Sequence, residues 1–175
     1  ELPLYLIGTG EHAIVPMHTN EVFKINELPK KYAAFSSCFR REAGSYGKDT
    51  KGIFRVHQFD KVEMVAFIRP EDDETERKKM LSIAEKIVRG LNLPYQVVQL
   101  ASGDLGFPSA ETTDIETWIP SQGRYRETHS ISTTTDFQSR RLNIRYEKIE
   151  MVQARVKGHY PETVSAPFPR HEYLH

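Results

Sequence analysis

Between Phe39 and Glu63 the sequence reads FRREAGSYGKDTKGIFRVHQFDKVE, a run in which basic and acidic residues crowd either side of a glycine-rich middle. Arg40 and Arg55 each offer a planar, permanently charged fork that matches phosphate oxygens, and Glu42 and Glu63 offer acceptors for amino groups beside them. Phe59 supplies an aromatic face for a base. Such a set suits a site that holds a polyanion and an amino group side by side. The same residues also fit a plainer arrangement, a ladder of cross-strand ion pairs on a solvated face, each worth under about 1 kcal/mol. Composition leaves both open.

A second pattern with chemical content is HEYLH at residues 171–175. On a helix, H-E-x-x-H puts His171 and His175 on one face for zinc, with Glu172 as base. Pro167 and Pro169 just upstream argue against that helix. The histidines at 12, 18, 57 and 159 have no ligand spacing, and no P-loop or G-x-S-x-G sequence occurs.

These residues need elements to hold them. Residues 32–40 and 53–67 alternate apolar and polar side chains, as two strands do, with GSYGKDTKG as a long loop between them. LPLYLI at 2–7 reads as a short buried strand that runs into GTGEHA, a turn rich in backbone donors. PEDDETERKKMLSIAEKIVRGLNLP is an amphipathic helix: acids fill its first turns, bases follow, and Met80, Ala84, Ile87, Val88 and Leu91 form the apolar face, with Gly90 and Pro94 ending it. Strands are expected at 95–101, 113–120 and 125–135, and DFQSRRLNIRYE reads as a buried edge or short helix. Strands joined by hairpins predict an α+β fold, a mainly antiparallel sheet flanked by helices.

The chain's 175 residues suit one domain able to bury about 70% of its unfolded surface. Lys plus Arg and Asp plus Glu number 24 each, so no overall field draws the molecule to nucleic acid or membrane, and any phosphate site must be local. The single cysteine, Cys38, in a strand-like AAFSSCFR, reads as a buried apolar thiol and fits a reducing compartment. With no apolar run near the roughly 18 residues of a membrane helix and no signal-peptide pattern, a cytoplasmic protein, or an organellar one after removal of its address, is expected.

Taken in order, three blocks resemble one family. FRREAGSYGKDTKGIFRVHQFDKVE resembles motif 2 of the class II aminoacyl-tRNA synthetases, specifically of seryl-tRNA synthetases. LIGTGEHAIV is similar to their T-x-E serine-binding loop, and the segment through TTTDFQSRRLNIRYE to their TDFQ-x-RR signature. The resemblance implies a class II synthetase-like fold, serine activation by ATP to seryl-adenylate, and transfer to tRNA(Ser), with ATP and Mg2+ as cofactors. It implies that Arg40 contacts the α-phosphate, Glu42 the adenine amino group, Arg55 the terminal phosphate, and that Phe59 stacks on adenine. Arg41, Val56, Thr128 and His129 complete the nucleotide-binding set, His129 without a catalytic role. Glu127 and Ser130 match positions that hold magnesium and ATP, Glu127 being counted with Arg40 and Arg55 as catalytic. Thr9, Gly10, Glu11 and Glu63 form the amino acid pocket, Glu63 accepting the serine hydroxyl. The loop 44–52 is expected to close over ATP and touch the tRNA acceptor end, and a homodimer is the family's habit.

The family's third motif does not follow TDFQSRRLNIRYE here, and its first motif and coiled-coil arm do not precede the T-x-E loop. Residues 1–147 therefore read as a synthetase-like catalytic core. Residues 148–175, in the same domain, read as a helix through Ile149, Val152 and Val156 capped by Gly158, then a strand loosely resembling motif 1 out of order, or an unrelated tail. A fragment, a permuted or a minimised core are the expected origins. The alternative function is a non-catalytic synthetase-like module that binds ATP, serine or a partner.

Overall fold

The computed structural model describes residues 3–42, 54–155 and 163–175, with side chains described at all of these except 148–155 and 163–170. In chain order the regular elements are α1 (Glu11–Ile14), β1 (Val22–Phe23), β2 (Lys30–Phe39), β3 (Gln58–Phe67), α2 (Asp73–Gly90), β4 (Tyr95–Gln99), β5 (Glu111–Ile119), β6 (Arg124–Thr133), α3 (Phe137–Leu142), β7 (Arg145–Arg155) and β8 (Thr163–Tyr173). The chain divides into two units, Glu1–Thr19 with Lys30–Ala66, and Asn20–Pro29 with Phe67–His175. The expected α+β class holds. No helix among the described residues is long and apolar enough to cross a membrane.

In the first unit β2 pairs with β3 to form the hairpin expected from the alternation, and most of its connecting loop, 43–53, lies outside the described residues. Cys38 is fully buried, as its apolar setting requires. Beneath the hairpin His18, itself buried, shares a 2.7 Å hydrogen bond with the Tyr32 hydroxyl, so this histidine is a satisfied core residue. The expected buried strand at 2–7 is not formed. The described part of that segment joins β2 through a bond from Phe39 N to Ile7 O, and Leu4, Tyr5 and Leu6 stand exposed. Apolar content alone did not make it a strand, because a strand needs a continuing ladder partner.

The second unit holds two three-stranded sheets. In one, β4, β5 and β6 are antiparallel, and α2 packs on one face through Ala84 and Val88 against Ile115 and Ile131, with Met80, Leu81 and Tyr95 around them. Acids in the first turn of α2 (Asp73, Glu74, Glu76) and Arg89 in the last complement its dipole. The apolar face differs from expectation. Met80, Ala84 and Val88 face the sheet as expected and Leu81 joins them, whereas Ile87 and Leu91 are exposed. The helix ends at Gly90 as expected, and Asn92 beyond it takes the left-handed conformation, at φ 55°.

In the other sheet the order is β1-β7-β8, with β1 parallel to β7 and β7 antiparallel to β8. The expected helix through Ile149 and Val152 is therefore a strand; Val156 and Gly158 lie outside the described residues. Apolar residues at 149, 151, 152, 154 and 156 satisfy a helical and an extended period about equally, and pairing with β8 decides. Pro167 and Pro169 fit the edge position of β8, where a missing N–H is tolerated. Phe23, Ile144, Tyr146 and Leu174 are fully buried here.

Candidate active site

HEYLH does not form the helix that a zinc site needs. His171–Tyr173 end β8, and His175 exchanges two 3.2 Å backbone bonds with Ile68. Among the described residues no group of three or more His, Cys, Asp or Glu is placed to hold a metal ion.

The first unit gathers the residues that the hairpin pattern singled out. Alternation along β3 puts Phe59, Lys61 and Glu63 on one face. Across from them the turn before α1 brings in Thr9, whose hydroxyl donates to Glu63 Oε2 at 2.6 Å. The Lys61 ammonium donates to Thr9 Oγ1 at 2.8 Å and pairs with Glu63 Oε2 at 2.5 Å. Gly10 allows this approach: a Cβ there would lie 3.3 Å from both Glu63 Cβ and Ser36 Oγ. The Glu11 amide reaches Thr9 Oγ1 at 3.4 Å. Thr9, Gly10 and Glu63, with the Glu11 amide, thus come together beside Lys61. Lys61 was missed in the sequence, although its two-residue spacing from Glu63 marks it as sharing that strand face.

At the mouth of the hairpin Arg40 donates from Nε to Gly8 O at 3.1 Å, and its guanidinium carbon lies 5.1 Å from the centre of the Phe59 ring. Main-chain bonding between Arg40 N and His57 O, 2.9 Å, continues the pairing of the two arms. Arg55 pairs with Glu42, whose backbone takes the left-handed conformation at φ 50°, a strained choice for a residue with a Cβ. Arg40, Arg41, Phe39 and His57, with Tyr5 and Leu6, line a groove. Val56 is half-buried beside Arg55. So Arg40, Glu42, Arg55 and Phe59 stand at one end of the hairpin and the Thr9–Lys61–Glu63 cluster stands along it.

Glu127, Thr128, His129 and Ser130 belong to the second unit, on β6. The register pairs Asp114 with Ser130, Ile115 with His129 and Glu116 with Glu127, so Thr128 is an extra residue in a β-bulge. In a regular strand residues three apart face opposite ways; the bulge puts Glu127 and Ser130 on the same face, with Asp114 and Glu116. His129 shares the other face with Ile115, and burial holds its pKa below the ordinary histidine value. Thr128 spends its hydroxyl on Ile115 O, 3.2 Å, and sits 3.0 Å from His129 Nδ1. Glu127 and Ser130 are therefore brought together, and His129 is not brought to them. Sequence reading also missed Asp114. Its carboxyl is buried, and its pKa is pushed up by desolvation, with the Ser130 hydrogen bond opposing and the charge of Glu116 adding.

An antiparallel sheet backed by a helix, with paired arginines and carboxylates on a motif-2-like hairpin, defines the class. The chain belongs to the class II tRNA synthetase core domain family (G, H, P, S and T), whose model matches residues 1–160. Within that family its likeness is to the seryl enzymes. It is 51% identical over 162 residues to the serine–tRNA ligase of Sulfurihydrogenibium sp., covering 93% of this chain and 38% of that protein. The crystal structure of seryl-tRNA synthetase from Pyrococcus horikoshii complexed with ATP superposes with a TM-score of 0.80 at 50% identity, over 83% of this chain and 33% of that one. The cytoplasmic serine–tRNA ligase of Naegleria fowleri in complex with AMP gives 0.77 at 41% identity, over 81% and 34%. The chain thus spans less than two-fifths of the length of these relatives.

Proposed function

We propose that this chain is the part of a serine–tRNA ligase that activates serine with ATP and passes it to the terminal ribose of tRNA(Ser) in the cytoplasm. The observation that carries the reading is the Thr9–Glu63–Lys61 cluster on the same hairpin as Arg40, Phe59 and the Arg55–Glu42 pair. Support comes also from the ATP and AMP bound in the two similar synthetases.

A serine carboxylate oxygen attacks the α-phosphorus, the bond to pyrophosphate breaks, and seryl-adenylate forms. The carboxylate is already ionised at neutral pH, so no general base is required. Arg40, swung from Phe59 to the α-phosphate, neutralises charge that grows in the transition state, and the vacated ring face takes adenine. Arg55 holds the terminal phosphate while Glu42 accepts from the adenine amino group. In the pocket Glu63 accepts the substrate hydroxyl; alanine would leave that half-buried carboxylate without the bond the substrate supplies, which is the basis of selection.

The donors on β6 fit magnesium, because that ion takes hard oxygen ligands and is held by one or two carboxylates together with substrate phosphates. Glu127 and Ser130 would hold it, and it would supply positive charge to phosphate oxygens.

Serine-dependent exchange of pyrophosphate into ATP tests the reading. Exchange by the parent and its loss in Arg40→Ala are expected; exchange that survives Arg40→Ala would place the chemistry elsewhere. ATP or serine binding without exchange would favour a non-catalytic binding module.

A further inference from the structure

We propose that Asp114 is a positioning residue for the divalent cation, orienting the Ser130 hydroxyl and turning its own second oxygen toward the cation's shell. This rests on the reading that Glu127 and Ser130 hold that cation. All the residues concerned lie in the second unit, on neighbouring strands β5 and β6.

Asp114 stands directly opposite Ser130 in the register, and the bulge at Thr128 brings Glu127 to the same face. The two partners differ in depth: Ser130 is exposed, whereas Asp114 is 5% exposed. The Ser130 side chain stands across the ladder from Asp114 and acts on its carboxyl. A hydroxyl has one proton to give; once that proton points down to Asp114, both oxygen lone pairs are left for a cation above. Ligand atoms fixed by a hydrogen-bonded outer partner are the usual way a metal site is oriented.

The remaining oxygen, Asp114 Oδ1, is fully buried and has no hydrogen-bond partner among the described residues. The charged neighbour that acts on this carboxyl is Glu116, of the same sign. Ionised, a buried carboxylate oxygen with no donor and a like charge beside it is costly, and a cation, or a water on that cation, would relieve that cost. The neighbouring Thr112–Ser132 hydroxyl pair, at 2.8 Å, is self-satisfied and brings no charge.

The experiment is a titration of the 175-residue chain with Mn2+, followed by electron paramagnetic resonance of the free ion, in the presence of a non-hydrolysable ATP analogue. The variants are Asp114→Asn, Ser130→Ala, the double variant and Glu127→Gln. Asp114→Asn is expected to weaken Mn2+ by about 10- to 100-fold, the range seen when an outer-shell partner is lost. Its loss should overlap with that of Ser130→Ala in the double variant, because the two act as one unit. Thermal melts separate this from a scaffold role: without metal Asp114→Asn should melt at or above the parent, and the rise in Tm that Mn2+ gives the parent should shrink. If Glu127→Gln abolishes Mn2+ binding while Asp114→Asn binds like the parent, this inference falls and the assignment of Glu127 stands. A parent that binds no Mn2+, or binds it equally well as Glu127→Gln, overturns the cation assignment and this inference together. Metal-free melting of Asp114→Asn well below the parent would show a structural role and overturn the inference alone.

Discussion

The Lys61 ammonium lies 2.5 Å from Glu63 Oε2, and the Thr9 hydroxyl donates to that same oxygen at 2.6 Å. Glu63 is thereby held in one orientation by a cation and a hydroxyl from two separate segments, which is what a residue that must select by a hydrogen bond requires. Glu63→Gln keeps the shape and removes the charge. Charge-assisted hydrogen bonds are worth about 1.5–3 kcal/mol, so serine KM should rise about 10- to 100-fold with ATP KM unchanged. Discrimination against alanine should fall in parallel. Exchange assays with serine and alanine measure both, and equal serine KM in variant and parent would remove Glu63 from the pocket.

Glu42 combines an ion pair to Arg55 with a left-handed backbone. For a residue with a Cβ this conformation costs about 1–2 kcal/mol, and glycine there recovers part of it against its greater freedom when unfolded. Glu42→Gly should therefore leave stability within about 1 kcal/mol of the parent while ATP KM rises about tenfold, the effect of losing one useful polar contact. Urea denaturation and ATP-dependent exchange check the two halves. A stability gain with unchanged ATP KM would mean that the strain serves no nucleotide contact.

What the sequence discloses and what it hides follow a physical line. Helix α2 is legible because its acids, bases and apolar stripe all lie within one local window. The β2–β3 hairpin is legible from alternation, and the roles proposed for Arg40, Glu42 and Arg55 come from their order in a motif. The strand at Arg145–Arg155 is hidden, since its apolar residues serve either period and its partners, β1 and β8, are remote or follow later in the chain. Lys61 looks like one more charge until Thr9 is brought beside it across 52 residues. Asp114, in the run TTDIETW, has nothing to mark it until the register sets it under Ser130. The bulge at Thr128 depends on pairing between strands, so counting along β6 assigns Glu127 and Ser130 to opposite faces and is wrong for that reason.

The second sheet offers a test by pH. Tyr146, 1% exposed, donates its hydroxyl to Glu172 Oε2 at 2.9 Å across the β7–β8 ladder. Burial, then the bond to Glu172 and its charge, push the phenol well above its ordinary value of 10. The sign is fixed by which state gives up the proton. Below about pH 10 the phenol is neutral in folded and unfolded chains alike, and the native contribution is complete. As pH rises past that value the unfolded chain ionises and the folded one cannot, so stability falls by up to about 1.4 kcal/mol per pH unit from this group. Tyr146→Phe removes the group. At pH 7 it should cost about 1 kcal/mol for the lost hydrogen bond, and by about pH 11 the parent's alkaline loss should bring the two proteins to similar stability. Urea denaturation at both values measures this; a difference that stays constant from pH 7 to 11 would show that the Tyr146 phenol ionises as readily in the folded chain as in the unfolded one.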